Sequence, residues 1–237
     1  MHTSEIRAVF FDAGNTLVFP RLEDLARDLT AQGYPATVED FYAAERAGKQ
    51  RLDEWLWPQI RKGQVPRTVD PYYWAEYLRA LMARVQVPEA EQPRLIERVA
   101  GGFRDITCWS RVPPATPPFL AALRAQGYTL GVISNSIGTM EEQITRVGLR
   151  EYFQTVLDSA RVGVEKPHPE IFEMTLRLTG VAASEAVFVG DTNATDMGGA
   201  QLAGLHGVLM DHCDAYPHVD GLRIKTLPEL EKILLTL

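Results

Sequence analysis

Apolar residues recur along this chain with two spacings, one typical of buried strands and one typical of amphipathic helices. Short runs rich in β-branched and aromatic residues suit strands that are buried on both faces of a parallel sheet. They predict strands at residues 6–11, 128–133, 155–157, 186–189 and 206–210. Helical stretches separate the last four of these runs, and alternation of strands with helices predicts an α/β fold with a parallel sheet.

The helices predicted for this alternating part have start and stop signals. They cover residues 118–126, 169–179, 195–203 and 228–235. A further helix is expected after Thr139-x-x-Glu142, which has the pattern of a capping box. Pro169 suits a first helical turn, and Gly180 suits the position just after a helix end. A loop at 110–118, which contains four prolines, is expected to lead into this part of the chain.

The segment between the first strand and this loop has a different pattern. Helical periodicity recurs there without a convincing strand. It predicts helices at residues 22–31, 38–57, 71–84 and 89–103. We therefore expect a discontinuous core, residues 1–19 and 110–237, that carries an inserted helical cap at residues 20–109.

Composition and charge narrow the class of protein. A length of 237 residues with 46% hydrophobic and 23% charged residues is ordinary for a globular protein. The net charge of -7 and scattered basic residues argue against nucleic acid as a partner. The start of the chain lacks the pattern of a signal peptide, and no apolar run approaches the ~20 residues that cross a bilayer. We expect a cytoplasmic protein with no membrane contact, and no disulfide between Cys108 and Cys213.

Polar residues that follow the predicted strands indicate one site. Asp12 follows the first strand and Ser134 the second, while Lys166 precedes Pro167 and the pair Asp191 and Asp196 follows the fourth strand. Ligands of such sheets bind at the carboxyl ends of the strands, so these side chains should converge there. Three carboxylates, a hydroxyl and an ammonium suit a nucleophilic carboxylate that acts on an anion beside a hard cation. Taken singly, each residue also fits a turn, a helix start or a solvated surface.

These segments, in this order and spacing, resemble the haloacid dehalogenase superfamily, in the branch with a helical cap after the first strand. The resemblance extends over nearly the whole chain. It implies a Rossmann-like core and, in most members, hydrolysis of phosphate esters with bound Mg²⁺. The substrate would be a small phosphorylated molecule. Whether the protein is a monomer or a homodimer stays open.

The resemblance also implies roles for particular residues. Asp12 would be the nucleophile that becomes phosphorylated, with Ser134, Asn135 and Lys166 as the phosphate-binding and catalytic partners. The Mg²⁺ ligands would be Asp12, the backbone carbonyl of Gly14, Asp191 and Asp196, the last of these directly or through a water.

Gly14 departs from the pattern of the family's phosphatases, in which a second aspartate two residues after the nucleophile serves as general acid and base. Glycine retains the carbonyl that binds the metal, but it cannot transfer a proton. Loss of such a group typically costs about 10² to 10⁴-fold in rate. Turnover should therefore be slow, unless the leaving group is good or the cap supplies a proton donor.

Three other functions remain open at this point. A haloacid dehalogenase also lacks the second aspartate, and Asn193 fits its pattern, whereas Gly14 and Asp191 do not. A phosphonate-cleaving enzyme needs a cap lysine in a particular motif, which surrounds neither Lys49 nor Lys62. A regulatory protein that keeps the fold with little catalysis is the third alternative, although such a protein would have no reason to retain a repulsive acidic cluster.

Two further groups of residues have side chains that could bind a ligand. The cap contains several polar and aromatic side chains that could contact a substrate, but their spacing is more typical of packing and of solvated helix faces. They are Arg46, Lys49, Gln50, Arg51, Trp55, Trp57, Tyr72, Tyr73 and Trp74. The segment 211–214 together with His218 has the residue types of a transition-metal site, but its irregular spacing favours an ordinary loop.

Overall fold

The computed structural model describes residues 5–237, and it has a parallel sheet as its centre. Within residues 5–237 the eight strands are β1 (Ala8–Phe11), β2 (Phe19–Pro20), β3 (Trp109–Arg111), β4 (Thr129–Ser134), β5 (Thr155–Asp158), β6 (Ala186–Gly190), β7 (His206–Met210) and β8 (Arg223–Ile224). Six of them form one sheet in the order β5-β4-β1-β6-β7-β8, and each neighbouring pair is parallel. Residues 1–4 lie outside the described residues. They belong to the start of the chain, for which no signal peptide is expected.

The helices fall into two groups. The part of the chain that the structure describes has ten α-helices, which are α1 (Leu22–Ala31), α2 (Val38–Ile60), α3 (Asp70–Arg84), α4 (Gln92–Arg104), α5 (Thr116–Ala125), α6 (Met140–Arg146), α7 (Ser159–Val162), α8 (Pro169–Thr179), α9 (Gly198–Ala203) and α10 (Leu230–Leu234). The first four follow one another without a strand and share an apolar cluster that includes Leu29, Phe41, Leu81 and Leu95. The others accompany the sheet. The predicted α/β class with a helical insert is therefore confirmed.

Strand β1 lies at the centre of the sheet because all four of its residues are apolar and buried. Val9 and Phe11 face one apolar cluster, and Ala8 and Phe10 face the other, as the alternation of side chains along a strand requires. This placement puts the residue after β1, Asp12, between the ends of β4 and β6.

The prediction of a loop at 110–118 is wrong at both of its ends. Its first residues belong to β3, which pairs antiparallel with β2. These two short strands lie where the chain leaves the core for the insert and where it returns. At its other end, α5 already begins at Thr116, with prolines in the first turn, where the missing N–H groups cost nothing.

The capping box predicted at Thr139 does not form, although Thr139 does precede helix α6. The carboxylate of Asp158 at the end of β5 accepts from the N–H groups of Met140 and Gly138, at 3.0 Å each. A residue at the end of a strand thus supplies acceptors at the start of α6, in place of the capping box expected at Thr139.

The helix predicted at 195–203 begins earlier, with a π-helical turn at Asn193–Met197 that continues into α9. Strand β8 and the one-turn helix α7 were not predicted, because two to four residues give no measurable periodicity. Cys108 and Cys213 are both buried and unpaired, as expected. Within residues 5–237, every helix is too short or too polar to cross a membrane.

Candidate active site

Asp12 and Lys166 form the centre of the candidate site. The ammonium of Lys166 lies 2.5 Å from Asp12 Oδ1 and 2.8 Å from Asp196 Oδ1. All three side chains are almost fully buried. One ammonium therefore joins the carboxylates that follow two adjacent strands, β1 and β6.

Asp196 lies in the turn after β6, and its carboxylate packs closely against the backbone of that turn. Asp196 Oδ2 accepts from the N–H and the hydroxyl of Thr192, at 2.9 and 2.7 Å. A Cβ atom at Gly190 would come within 2.4 Å of the Asp196 carboxyl carbon, so only glycine fits there. Both oxygens of Asp196 thus have protein partners.

Asn135 connects the end of β4 to Lys166. Its Oδ1 accepts from the Lys166 N–H at 2.8 Å, and its Nδ2 donates to the Lys166 carbonyl at 3.1 Å. Ser134, at the end of β4, is buried and lines the same cavity as Asp12. The amide of Asn135 therefore fixes the backbone from which the Lys166 ammonium extends.

Helix α2 of the insert contributes two charged residues to this site. Lys49 has no exposed surface, and its ammonium lies 2.7 Å from Glu45 Oε1 and 2.8 Å from Asp191 Oδ2. Glu45 Oε1 also accepts from Asn15 Nδ2 at 3.2 Å. The insert thus contacts the turn after β1 through Glu45 and the turn after β6 through Lys49.

One turn further along α2, Asp53 makes a third contact with the core. Its carboxylate accepts from Asn193 Nδ2 at 2.7 Å and from the N–H of Ala194 at 2.9 Å. Asn193, which sequence reasoning matched to the dehalogenase pattern, therefore binds the insert.

Burial and charge shift the pKa values of these groups in opposite directions. Burial, together with the charges of Asp196 and Asp191, raises the pKa of Asp12 to about 8 despite the adjacent Lys166. Burial alone would lower the pKa of Lys49, but Asp191 and Glu45 outweigh it and raise that pKa well above the ordinary value. For Lys166, burial alone would also lower the pKa, but the charges of Asp12 and Asp196 outweigh it and raise that pKa.

The donor set suits a hard divalent cation. The carboxylates of Asp12, Asp191 and Asp196 are buried within one site, and their mutual repulsion contributes to the raised pKa of Asp12. Oxygen ligands of this kind are those that Mg²⁺ prefers. The ammonium of Lys49 already contacts Asp191 Oδ2, so a cation would share that oxygen with a positive charge from the insert.

A cavity of about 480 Å³ lies over Asp12, between the core and the insert. Its walls include the apolar side chains of Trp74, Phe103 and Trp109. A Cβ atom at Gly14 would lie 3.2 Å from the indole of Trp109, so the ring occupies the space next to position 14. The carboxyl group of Asp70, at the start of α3, also lines this cavity.

The structure brings the predicted site residues together, and their roles stay predictions. Sequence reasoning missed Glu45, Asp53, Asp70 and Trp109, and it rejected Lys49 because no motif surrounds it. A signal for three of these was present. Positions 45, 49 and 53 extend the buried face of α2 that holds Leu52, Leu56 and Ile60, so their polar side chains had to lie at an interface.

The segment 211–214 forms a loop, as predicted. Asp211 accepts from the N–H groups of Ala215 and Tyr216, at 2.7 and 3.3 Å, and so closes the turn. Burial raises the pKa of the Cys213 thiol to about 12. His212 Nε2 lies 3.3 Å from Glu45 Oε1, where Lys49 already supplies a positive charge.

Comparisons with known proteins agree with this architecture. Residues 6–204 match the haloacid dehalogenase-like hydrolase family, and the chain therefore belongs to that family. It is 33% identical to a phosphoserine phosphatase of Thermus thermophilus over 204 residues, which cover 80% of each chain. It is 35% identical to a glyceraldehyde 3-phosphate phosphatase of Pyrococcus furiosus over 211 residues, 86% of this chain and 80% of the relative.

The fold is also similar to that of a solved HAD-hydrolase from Bacillus subtilis, which was crystallised with magnesium. The TM-score is 0.64 at 21% identity, and the match covers 98% of this chain and 100% of the other. At this identity the likeness concerns the fold alone.

Proposed function

We propose that this chain is a Mg²⁺-dependent phosphatase that hydrolyses a small phosphorylated metabolite through an aspartyl-phosphate on Asp12. The observation that carries the proposal is the contact of the Lys166 ammonium with both Asp12 and Asp196 in the cavity between the core and the insert. The relatives named phosphoserine phosphatase and glyceraldehyde 3-phosphate phosphatase support phosphate monoesters as the substrate class.

In this proposal Asp12 is the nucleophile. One of its oxygens attacks phosphorus, and the bond from phosphorus to the leaving oxygen breaks. Lys166 offsets the negative charge that the carboxylate and the phosphoryl group bring together. The Ser134 hydroxyl and the backbone N–H of Asn135 hold the remaining phosphoryl oxygens as neutral donors, because the side-chain amide of Asn135 already donates to the Lys166 carbonyl and to Asp70.

Mg²⁺ would be held by Asp12, the Gly14 carbonyl and Asp191. Asp196 would act through a water, because Thr192 and Lys166 already contact both of its oxygens. When bound, the ion supplies the positive charge that lets an anionic nucleophile approach an anionic substrate.

Two alternatives are less well supported. Asn193 fits the dehalogenase pattern, but its side-chain amide donates a hydrogen bond to Asp53 of the insert. Cleavage of a phosphonate through a Schiff base would need an unprotonated lysine, whereas the two carboxylates at Lys49 favour its charged form.

The first prediction tests the nucleophile. We expect Asp12→Asn to abolish Mg²⁺-dependent phosphate release from 4-nitrophenyl phosphate, because an amide cannot form the acyl-phosphate. Wild-type protein quenched in acid during turnover should carry one phosphate on the peptide that contains Asp12, as measured by mass spectrometry. Glu54→Gln, a change at an exposed residue of α2, is the matched control and should retain both signals.

Two outcomes would contradict the proposed function. Halide release from a 2-haloacid without added metal, in the absence of phosphate release, would identify a dehalogenase. Wild-type protein that binds Mg²⁺ but never becomes phosphorylated would point to a regulatory role.

A further inference from the structure

The reaction proposed above lacks a group that protonates the leaving oxygen, because position 14 is glycine. Five carboxyl groups line the cavity over Asp12 within residues 5–237, and they differ in their partners. Asp12 and Asp196 contact Lys166, and Asp191 contacts Lys49. In the proposed reaction Asp12 is the nucleophile, and Asp191 and Asp196 would hold the cation, so none of these three is free to deliver a proton.

The fourth carboxyl group, Glu165, has a structural task. Its Oε2 accepts from the N–H groups of Val69 and Asp70, at 2.6 and 3.1 Å. These two bonds tie the start of helix α3 to the segment that precedes Lys166. Glu165 therefore fixes the backbone of Asp70 with respect to the core.

Asp70 is the fifth carboxyl group, and an amide joins it to the phosphate-binding residues. Its Oδ1 accepts from Asn135 Nδ2 at 3.0 Å, and the same nitrogen donates to the Lys166 carbonyl at 3.1 Å. Asp70 thus lies on the insert side of the cavity, whereas Asp12 lies on the core side. The leaving group of a phosphate ester held on Lys166 must point away from Asp12 for an in-line displacement, and that direction leads to the insert.

The surroundings of Asp70 also favour a proton carrier. Burial and the negative charge of Glu165 raise its pKa to about 6, with Asp196 acting in the same direction and Asn135 and Lys166 in the opposite one. A group that titrates near neutrality can give a proton in one step and take one in the next.

We propose that Asp70, supplied by the helical insert, is the general acid and base that replaces the missing aspartate at position 14. The assignment rests on the proposed phosphatase function. In the first step the Asp12 oxygen bonds to phosphorus, the electron pair of the breaking P–O bond goes to the leaving oxygen, and Asp70 gives that oxygen its proton. In the second step the Asp70 carboxylate takes a proton from water, the water oxygen bonds to phosphorus, and the Asp12 carboxylate is released.

The decisive experiment compares leaving groups in Asp70→Asn. The amide oxygen still accepts from Asn135 but carries no acidic proton, so the site keeps its shape. For an alkyl phosphate, whose leaving oxygen needs a proton, kcat/KM should fall about 10² to 10⁴-fold. For 2,4-dinitrophenyl phosphate, whose leaving group departs without one, formation of the phosphoenzyme should be unchanged. Asp70→Ser serves as a second variant, and Glu54→Gln as the surface control.

The pH profile gives an independent readout. The first step needs ionised Asp12 and protonated Asp70. Bound Mg²⁺ would favour the ionised form of Asp12, so at saturating Mg²⁺ the wild-type kcat/KM for the alkyl ester should fall as pH rises above about 6. Asp70→Asn should lose this descending limb.

Equal losses on both esters, with the pH profile unchanged, would mean that Asp70 has only a structural role and would overturn the assignment. If instead the wild type neither hydrolyses the dinitrophenyl ester nor becomes labelled on Asp12, the proposed function itself fails. The two failures are therefore distinguishable.

Discussion

At the scale of single residues, Trp109 restricts the space for a side chain at position 14. The indole packs 3.2 Å from where a Cβ would lie, and its Nε1 donates to the Phe103 carbonyl at 2.9 Å. The ring is thus held in place from its far side. A larger residue at position 14 therefore requires the ring to shift by a few tenths of an ångström.

We therefore expect Gly14→Asp to lower the free energy of unfolding by about 1–3 kcal/mol, the usual cost of overpacking. In a background of Trp109→Phe, whose smaller ring leaves room, the same substitution should cost less. Urea unfolding in the presence of EDTA measures both values without interference from metal binding. A double-mutant cycle should give a coupling of about 0.5–3 kcal/mol.

Glu54→Ala is the matched partner for this cycle, because Glu54 is exposed and lies in another element. Its effect should add to that of Gly14→Asp. If the cycle with Trp109 is also additive, the indole does not restrict position 14.

The residue scale also shows what sequence could reveal about the site. Asp12, Ser134, Asp191 and Asp196 each end or follow a strand, and a parallel sheet brings such positions together whatever the details of packing. Lys166 lies in the connection between α7 and α8, and its proline-flanked setting was the signal for it. Asp70 and Trp109 were out of reach, because each enters the cavity from a segment whose orientation depends on how the insert packs on the core.

At the scale of elements, helix α2 is the part of the insert that determines the charge of the site. Lys49 places a buried ammonium 2.8 Å from Asp191 Oδ2, and Mg²⁺ would use the carboxylate of the same residue. Two cations at one carboxylate repel each other strongly when water is excluded. Lys49 should therefore weaken metal binding.

We expect Lys49→Met to tighten Mg²⁺ binding by about tenfold or more, equivalent to about 1.4 kcal/mol or more. Isothermal titration calorimetry with Mg²⁺, supported by Mn²⁺ titration followed by electron paramagnetic resonance, measures the dissociation constant without reference to activity. Lys62→Met is the control, because Lys62 is an exposed lysine that follows α2. Equal affinities in the wild type and both variants would show that Lys49 does not compete with the ion.

The observed boundaries of helices and strands agree with the predicted ones where local sequence signals alone determine them. Helices α1 and α8 and strand β7 begin and end where periodicity and flanking residues predict. The predictions failed where a distant residue decides the structure. Asp158 replaced the cap expected from Thr139, and pairing with β2 turned the start of a proline-rich loop into β3.

At the scale of the whole molecule, the order of elements was predictable because strand and helix patterns alternate, and the insert was evident because they stop alternating. How the insert packs against the core was not predictable. It depends on polar side chains of α2 that occupy positions where an apolar stripe would be expected to continue. Their positions on the buried face of α2 indicate an interface, but the sequence does not show which surface of the core they contact.

The contact of Asp53 with the turn at 193–194 is the part of this attachment farthest from Lys166 and Asp12 along α2. Its carboxylate accepts from one amide side chain and one backbone N–H, and apolar contacts of Leu52 and Leu56 with Ala194 surround it. Removing the acceptor leaves two buried donors without a partner, which is more costly than the loss of the bonds themselves.

We therefore expect Asp53→Ala to lower the free energy of unfolding by about 1–3 kcal/mol, as measured by urea denaturation. Glu54→Ala removes the neighbouring carboxylate, which forms only an exposed ion pair with Arg51, and should cost no more than about 1 kcal/mol. Because Asp53 joins insert to core, its loss should also speed amide hydrogen exchange in both α2 and the turn at 193–197. Faster exchange confined to α2 would mean that the turn holds its structure without the insert, and that the two parts of the molecule are less tightly coupled than this contact implies.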